Sequence, residues 1–220
     1  MICFLGTSHA PETLEAAARA KWLDVTDDPF KARLVFISED TPTRPDGTRD
    51  QEPIKALLER YRAIKVPVVL TSQVEPGFTR ALNWPGIICM AETLRIKDAM
   101  ERAMNPEQFI FGVPAPKTYT IPMPLLRYCW AHEGAKVLVM SYEDAEFSKI
   151  AINMFLASQV DTTNRLAIAA HKVGAHWTAV TDALRCDGRI GPHAYLTPGR
   201  WQDSSHLMRD HVTLEAILAR

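Results

Sequence analysis

Apolar residues in this chain follow two regimes. From the N-terminus to about residue 140 they come in short uninterrupted runs, separated by stretches with helical spacing. Short apolar runs bounded by turn formers predict buried strands, and their alternation with amphipathic segments predicts an α/β layer. The predicted strands are "MICFLG", "ARLVFIS", "VPVVLTS", "GIICMA", "EQFIFGV" and "AKVLVMS". "SHAPETLEAAARAKWL" reads as a helix, with Ser8 or His9 before it, Pro11 near its first position and Glu12 and Glu15 in its first turns. "EPIKALLERYRAI" is a second amphipathic helix. "TPTRPDGTRDQE" is a polar, turn-rich loop, and "PAPKTYTIPMPLL", with four prolines, is expected to be irregular or extended.

From Ser141 onward the pattern becomes helical. "YEDAEFSKIAINMFLASQVDTTNRLAIAAHKVG" has no Pro or Gly before Gly174, which predicts one long helix over 142–174. It is apolar around most of its circumference, so it belongs in a core or at a subunit interface. "WTAVTDALR" predicts a shorter helix, and a last one starts near Ser204 or Ser205 and runs through "LEAILAR". The expected organisation is a reduced Rossmann-like parallel sheet over 1–140, followed over 141–220 by an α-helical dimerisation domain led by the long helix.

Composition narrows the function classes. A net charge of −1 gives no electrostatic case for nucleic acid or an anionic membrane as partner. No apolar run reaches spanning length, and "MICFLGTSHAPETL" lacks the basic and apolar regions of a secretion signal. Cys3, Cys89, Cys129 and Cys186 are widely spaced with no CxxC pair, which points to reduced thiols in a cytoplasmic setting and away from a structural zinc site.

The long helix is informative for its polar residues. Lys149 and Asn153 stand four apart and Asn164 eleven further on, so all three fall on about one face. A lysine amid "FSKIAINMF" either reaches solvent, pairs with Glu146 one turn back, or belongs to a polar site. His206, Asp210 and the adjacent His211 share the last helix, but two ligands without a third do not make a metal site, so none is expected.

"AEFSKIAINMFLASQVDTTNRLA" resembles the central helix of the UDP-glucose/GDP-mannose dehydrogenase family, with Ala145, Glu146, Lys149, Asn153 and Asn164 in matching places. "LVFISEDTPTRPDG", "VVLTSQVEPGFTRAL", "AETLRIKDAMERAMNPEQFIFG" and "VTDALRCDGRIGPHAYLTPG" resemble further family segments in the right order. The resemblance implies NAD-dependent oxidation of a nucleotide sugar at C6. It assigns Lys149 and Asn153 to the reacting oxygen, Glu92 to the water steps and Arg189 to the substrate, with Asn164 beside it. Gly6, Thr41, Pro42 and Gln73 fall on cofactor-binding positions, and a homodimer through the long helix is implied.

The departures fall on the chemistry. The catalytic loop, expected as GFGGxCfpKD, reads "RWQDSSHLMRD": His206 holds the cysteine position, Arg209 the lysine position, and Asp210 matches. A thiol nucleophile is what permits the second oxidation, so at most one oxidation is expected, with His206 as a base. The GxGxxG fingerprint is reduced to Gly6 within "GTSHAP", and the first helix, the second strand and the C-terminal nucleotide-sugar domain of the family have no counterpart in the sequence. Two functions follow: a single-step NAD-dependent dehydrogenase, or a non-catalytic protein that binds a nucleotide or nucleotide sugar and keeps the dimerising core.

Overall fold

A computed structural model describes residues 1–94 and 96–219. It is an α/β structure with a six-stranded sheet: β1 Ile2–Leu5, β2 Leu34–Ile37, β3 Val68–Leu70, β4 Ile87–Met90, β5 Gln108–Val113 and β6 Lys136–Ser141. The helices are α1 His9–Ala20, α2 Glu52–Arg60, α3 Phe78–Ala81, α4 Ala99–Met104, α5 Met123–Trp130, α6 Tyr142–Lys172, α7 Trp177–Cys186 and α8 Ser205–Leu218. Each predicted strand is present. The last predicted helix ends in Arg220, which lies outside the described residues.

The chain divides into two compact units. Unit 1 comprises Met1–Arg44 and Arg49–Lys149, and unit 2 comprises Pro45–Thr48 and Ile150–Arg220. The division falls inside α6. No helix among the described residues is long and apolar enough to cross a membrane.

In unit 1 the strands lie in chain order, β1-β2-β3-β4-β5-β6. Neighbours are parallel except β4 and β5, which pair antiparallel through Cys89–Gly112 and Met90–Phe111. The expected parallel sheet is present, with one antiparallel junction that apolar periodicity does not reveal, because it marks a strand without giving its direction. β1 is an edge strand. Its outer side is covered by the segment after α1: the Ile2 N–H donates to Asp24 O at 2.7 Å and the Thr26 N–H donates to Ile2 O at 2.9 Å. This pairing closes an edge that would otherwise offer free backbone groups.

The strand period of two divides the core. Ile2, Phe4, Leu34, Phe36, Val69, Ile88, Met90, Phe109, Phe111 and Val113 share a cluster with Leu14, Ala17 and Ala18 of α1, Ala103 of α4, and Leu125, Tyr128 and Cys129 of α5. Cys3, Val35, Ile37, Val68, Leu70, Ile87, Cys89 and Ile110 are buried at the alternate positions. On that side Gly112 admits α6: a Cβ there would lie 2.8 Å from Ala145 Cβ and 3.0 Å from Tyr142 Cα. Each such apolar side chain stabilises the fold by roughly 1.5–3 kcal/mol. Burial also pushes the Cys3 thiol up to about 11 and the Cys129 thiol up to about 12, so neither is a nucleophile.

The proline-rich stretch expected to be irregular contains α5. Pro122 caps it and Pro124 sits in its first turn, where no intrahelical N–H is required. α5 carries the core residues Leu125, Tyr128 and Cys129 and ends beside His132.

Unit 2 is thinly cored. Its buried apolar residues among those described are Ile150, Ala157 and Ala170, while Phe155 is 75% exposed, Ile168 60% and Val173 79%. Phe155 and Leu166 are eleven residues apart on α6, within about 20° of one line along the helix, and Val173 follows directly after its last residue.

His132 gives unit 1 a pH response. It is buried, its Nδ1 lies 2.8 Å from Tyr128 O, and its ring meets Phe109 edge-on with centroids 5.5 Å apart. Burial, aided by the Lys21 charge, holds its pKa below the ordinary imidazole value, against the opposing hydrogen bond to Tyr128. A depressed folded-state pKa gives stability that is complete above the unfolded-state value and is lost as pH falls through the folded one. Melting temperature should therefore drop between about pH 7.5 and pH 5, and the drop should shrink in His132→Phe, which keeps the ring packing. An identical drop in both proteins would rule out His132 as its source.

Candidate functional site

The ends of β1, β2 and β3 carry the positions predicted to bind a cofactor. Gly6 ends β1 at φ +131, and a Cβ there would lie 1.6 Å from Ser38 O. Glycine is required because β2 passes close by, independently of any ligand. The next residue, Thr7, donates its N–H to Glu39 Oε2 at 3.1 Å and its hydroxyl to the same carboxylate at 3.0 Å. The main chain of Glu39 is held by buried Ser72, which accepts from Glu39 N at 2.8 Å and donates to Glu39 O at 2.7 Å.

Thr41 and Gln73 do come together. The Thr41 hydroxyl donates to Gln73 O at 2.9 Å, and Arg49 Nη1 donates to the same carbonyl at 3.0 Å. Thr41 and Arg49 are buried, and Pro42 is exposed. Arg49 was not anticipated: inside "TPTRPDGTRDQE" it has no signal that separates it from Arg44, which makes a surface pair with Asp50 at 2.9 Å.

The first turns of α6 are anchored by Glu146. Its buried carboxylate accepts the Gly77 N–H at 2.6 Å and the Thr79 N–H at 2.8 Å. It thus satisfies the start of α3, where Gly77 adopts φ 93. Burial raises the Glu146 pKa and these donors oppose the rise. Arg80 pairs with Glu143 in the same region, Nη2 lying 2.8 Å from Oε2, and holds the Glu143 carboxyl down at about 2. Glu92, after β4, accepts the Leu94 N–H. Burial raises the Glu92 pKa, with the Lys149 ammonium the foremost opposing influence. Lys149 is thus near enough to Glu92 to act on its charge, and both are half-buried. A carboxyl with a raised pKa beside an ammonium can pass a proton.

Unit 2 brings Asn153, Asp210, His206 and Arg209 together through α6 and α8. Asn153 Nδ2 donates to Asp210 Oδ2 at 2.6 Å, and Asp210 has no exposed surface. Arg209 is buried and its Nη2 lies 3.2 Å from His206 Nδ1. A guanidinium only donates, so this contact places a lone pair on Nδ1 and the proton on Nε2. His206 is exposed. Ser204 caps α8 by accepting the Leu207 N–H at 3.4 Å.

Asn164 lies elsewhere. Its amide donates to Gly199 O at 2.7 Å and accepts the Gly199 N–H at 2.9 Å. With Thr163, which donates to Tyr195 O at 2.8 Å, and Gln159, which accepts Tyr195 N at 2.9 Å, it straps the loop before α8 onto α6. Arg189 is exposed and folds back on Asp187 at 2.7 Å.

The β1–α1 turn does not fit a dinucleotide pyrophosphate. Such a turn must offer free N–H groups and close backbone approach, beside a strand-order reversal. Here Thr7 has given its donors to Glu39, Gly6 is taken up by Ser38, and the strands around β1 run in simple order. Among the described residues no group of three or more His, Cys, Asp or Glu side chains is placed to hold a metal ion. A cleft of about 540 Å³ between α1 and α4 is lined by His9, Glu12, Lys97 and Asp98 among others, and includes none of the predicted site residues.

The fold is that of an α/β protein with a helical second unit. The family model of the UDP-glucose/GDP-mannose dehydrogenase family, central domain, matches residues 143–219. A UDP-glucose 6-dehydrogenase of Pseudomonas aeruginosa is 28% identical over 203 residues, covering 83% of this chain and 44% of the relative. UDP-glucose 6-dehydrogenase 1 of Arabidopsis thaliana is 26% identical over 191 residues, covering 77% and 39%. The structure of a UDP-glucose dehydrogenase from Pyrobaculum islandicum superposes with a TM-score of 0.65 at 24% identity, over 93% of this chain and 55% of that one. Only the C-terminal third of the chain matches that family model, and the chain spans less than half the length of these two curated relatives.

The Asn153–Asp210 contact makes a direct prediction. Asn153→Ala withdraws a donor from a fully buried carboxylate, a loss of about 1–3 kcal/mol, so melting temperature should fall by several degrees. In a double-mutant cycle with Asp210→Asn the two losses should be less than additive. Additive losses would mean that the two side chains do not interact.

Proposed function

We propose that this chain is a homodimeric, nucleotide-sugar-binding relative of the dehydrogenases with a degenerate site that does not complete the oxidation to an acid. The observation that carries this reading is the Asn153–Asp210 hydrogen bond of 2.6 Å. Two positions that the family resemblance assigns to chemistry are spent on each other, inside unit 2. The contact between Arg209 and His206, at the position where a thiol would be needed, supports the same conclusion. Arg189, exposed on its turn, is the proposed contact for the sugar nucleotide. Dimerisation is proposed through exposed Phe155 and Leu166, which lie opposite Asn153 and Asn164 on α6, together with exposed Val173 just after the helix. The few buried apolar residues described in unit 2 favour covering that surface. A cytoplasmic setting fits four free thiols.

A second reading has its own observation. Lys149 acts on the half-buried carboxyl of Glu92, whose raised pKa suits a proton acceptor, and this favours a single alcohol-to-aldehyde oxidation. Melting curves with UDP-glucose and GDP-mannose, run beside NADH absorbance after NAD is added, decide between them. Stabilisation by a nucleotide sugar without NADH formation is expected. NADH formation would establish the second reading, and a flat response to every nucleotide would sink both.

Light scattering should give the mass of two chains, and Phe155→Glu with Val173→Glu should give a single chain of lower melting temperature. A wild-type monomer would overturn the dimer.

A further inference from the structure

We infer that the carboxylate of Glu39 is a built-in occupant of the β1–α1 turn, standing where a phosphate group would bind and closing the turn to pyrophosphate-containing ligands. The inference concerns unit 1 alone and goes beyond the reading of the nucleotide-sugar site. Thr7 sits between Gly6 and Ser8, the N-cap of the twelve-residue helix α1. A main-chain N–H and a hydroxyl at the mouth of a helix of that length attract an anion. Both donors are directed to one side chain, the Glu39 carboxylate, at 3.0–3.1 Å. Ser8 contributes no side-chain cap to α1, so the anion at the turn is supplied by the neighbouring strand.

Glu39 is not a loose surface acid that happens to lie nearby. Its N–H and its carbonyl are both gripped by the Ser72 hydroxyl, itself 5% exposed, and Asp40 N donates to its Oε1 at 3.1 Å. The grip fixes the backbone from which the carboxylate reaches Thr7. The close passage of Gly6 under Ser38 holds β1 and β2 in that relation. A second anion at the turn would meet a negative charge and find its first two donors taken. The turn is therefore filled rather than merely eroded: its donors persist, and the chain supplies their acceptor.

Calorimetric titration and melting curves with inorganic pyrophosphate, on the full chain, test this directly. Wild type should show no binding and no stabilisation. Glu39→Ala, which empties the position, should acquire pyrophosphate-dependent stabilisation. Glu39→Gln, which keeps the size and an acceptor oxygen but removes the charge, should likewise acquire measurable pyrophosphate binding. Circular dichroism reports folding, and if the alanine variant does not fold, the glutamine variant decides. Pyrophosphate or NAD binding to wild type as tightly as to the variants would overturn the inference, as would a folded glutamine variant that gains nothing. Neither result bears on UDP-glucose binding, which is measured separately.

Discussion

A carboxylate that leaves water must be given donors, and Glu146 shows how much structure that requirement can organise. Its two hydrogen bonds to the N–H groups of Gly77 and Thr79 tie the turn after β3 to the first turns of α6. The approach is possible because Gly77 adopts a left-handed conformation and because Gly112 lets Tyr142 and Ala145 pack against the sheet. Loss of one partner from such a buried group costs about 1–3 kcal/mol, more than most surface contacts provide.

The same rule explains what has become of the family's polar positions. A polar group in a small core either meets a ligand or meets another protein group. Here the second outcome recurs. Asn153 meets Asp210, Arg209 meets His206, Asn164 meets Gly199, and Thr7 meets Glu39. Asn153 with Asp210, Asn164 with Gly199 and Thr7 with Glu39 each join different segments of the chain, while Arg209 and His206 meet within α8. Lys149 and Glu92 differ, because burial keeps the Glu92 carboxyl's pKa raised against the opposing Lys149 ammonium, and a group of that kind suits proton transfer.

Much of the architecture was legible in one dimension. The apolar runs located all six strands, and the absence of Pro and Gly located α6 to within two residues of its end. What the pattern obscured was direction and context. Pro122 and Pro124 read as breakers, yet they start α5, because the first turn of a helix has no use for their missing N–H. Of the candidate site, Asn153 with Asp210 and Thr41 with Gln73 were named and do meet. Arg49 and Glu39 were not named, because a charged residue in a polar stretch looks the same whether it is solvated or folded inward.

By itself the sequence determined which segments are strands and helices and which faces they bury, and it puts His206 and "GTSHAP" where the resemblance leads one to expect a cysteine and a glycine-rich turn. Those are properties of periodicity and residue identity, and they survive without any neighbour in space. Tertiary structure alone decided that β5 runs against β4, that Gly6 serves the passage of Ser38, and that the donors of Thr7 face a carboxylate thirty-two residues away. The physical reason is that a hydrogen bond depends on distance and angle within a few tenths of an ångström, and only the folded chain brings residues so far apart in sequence within that range.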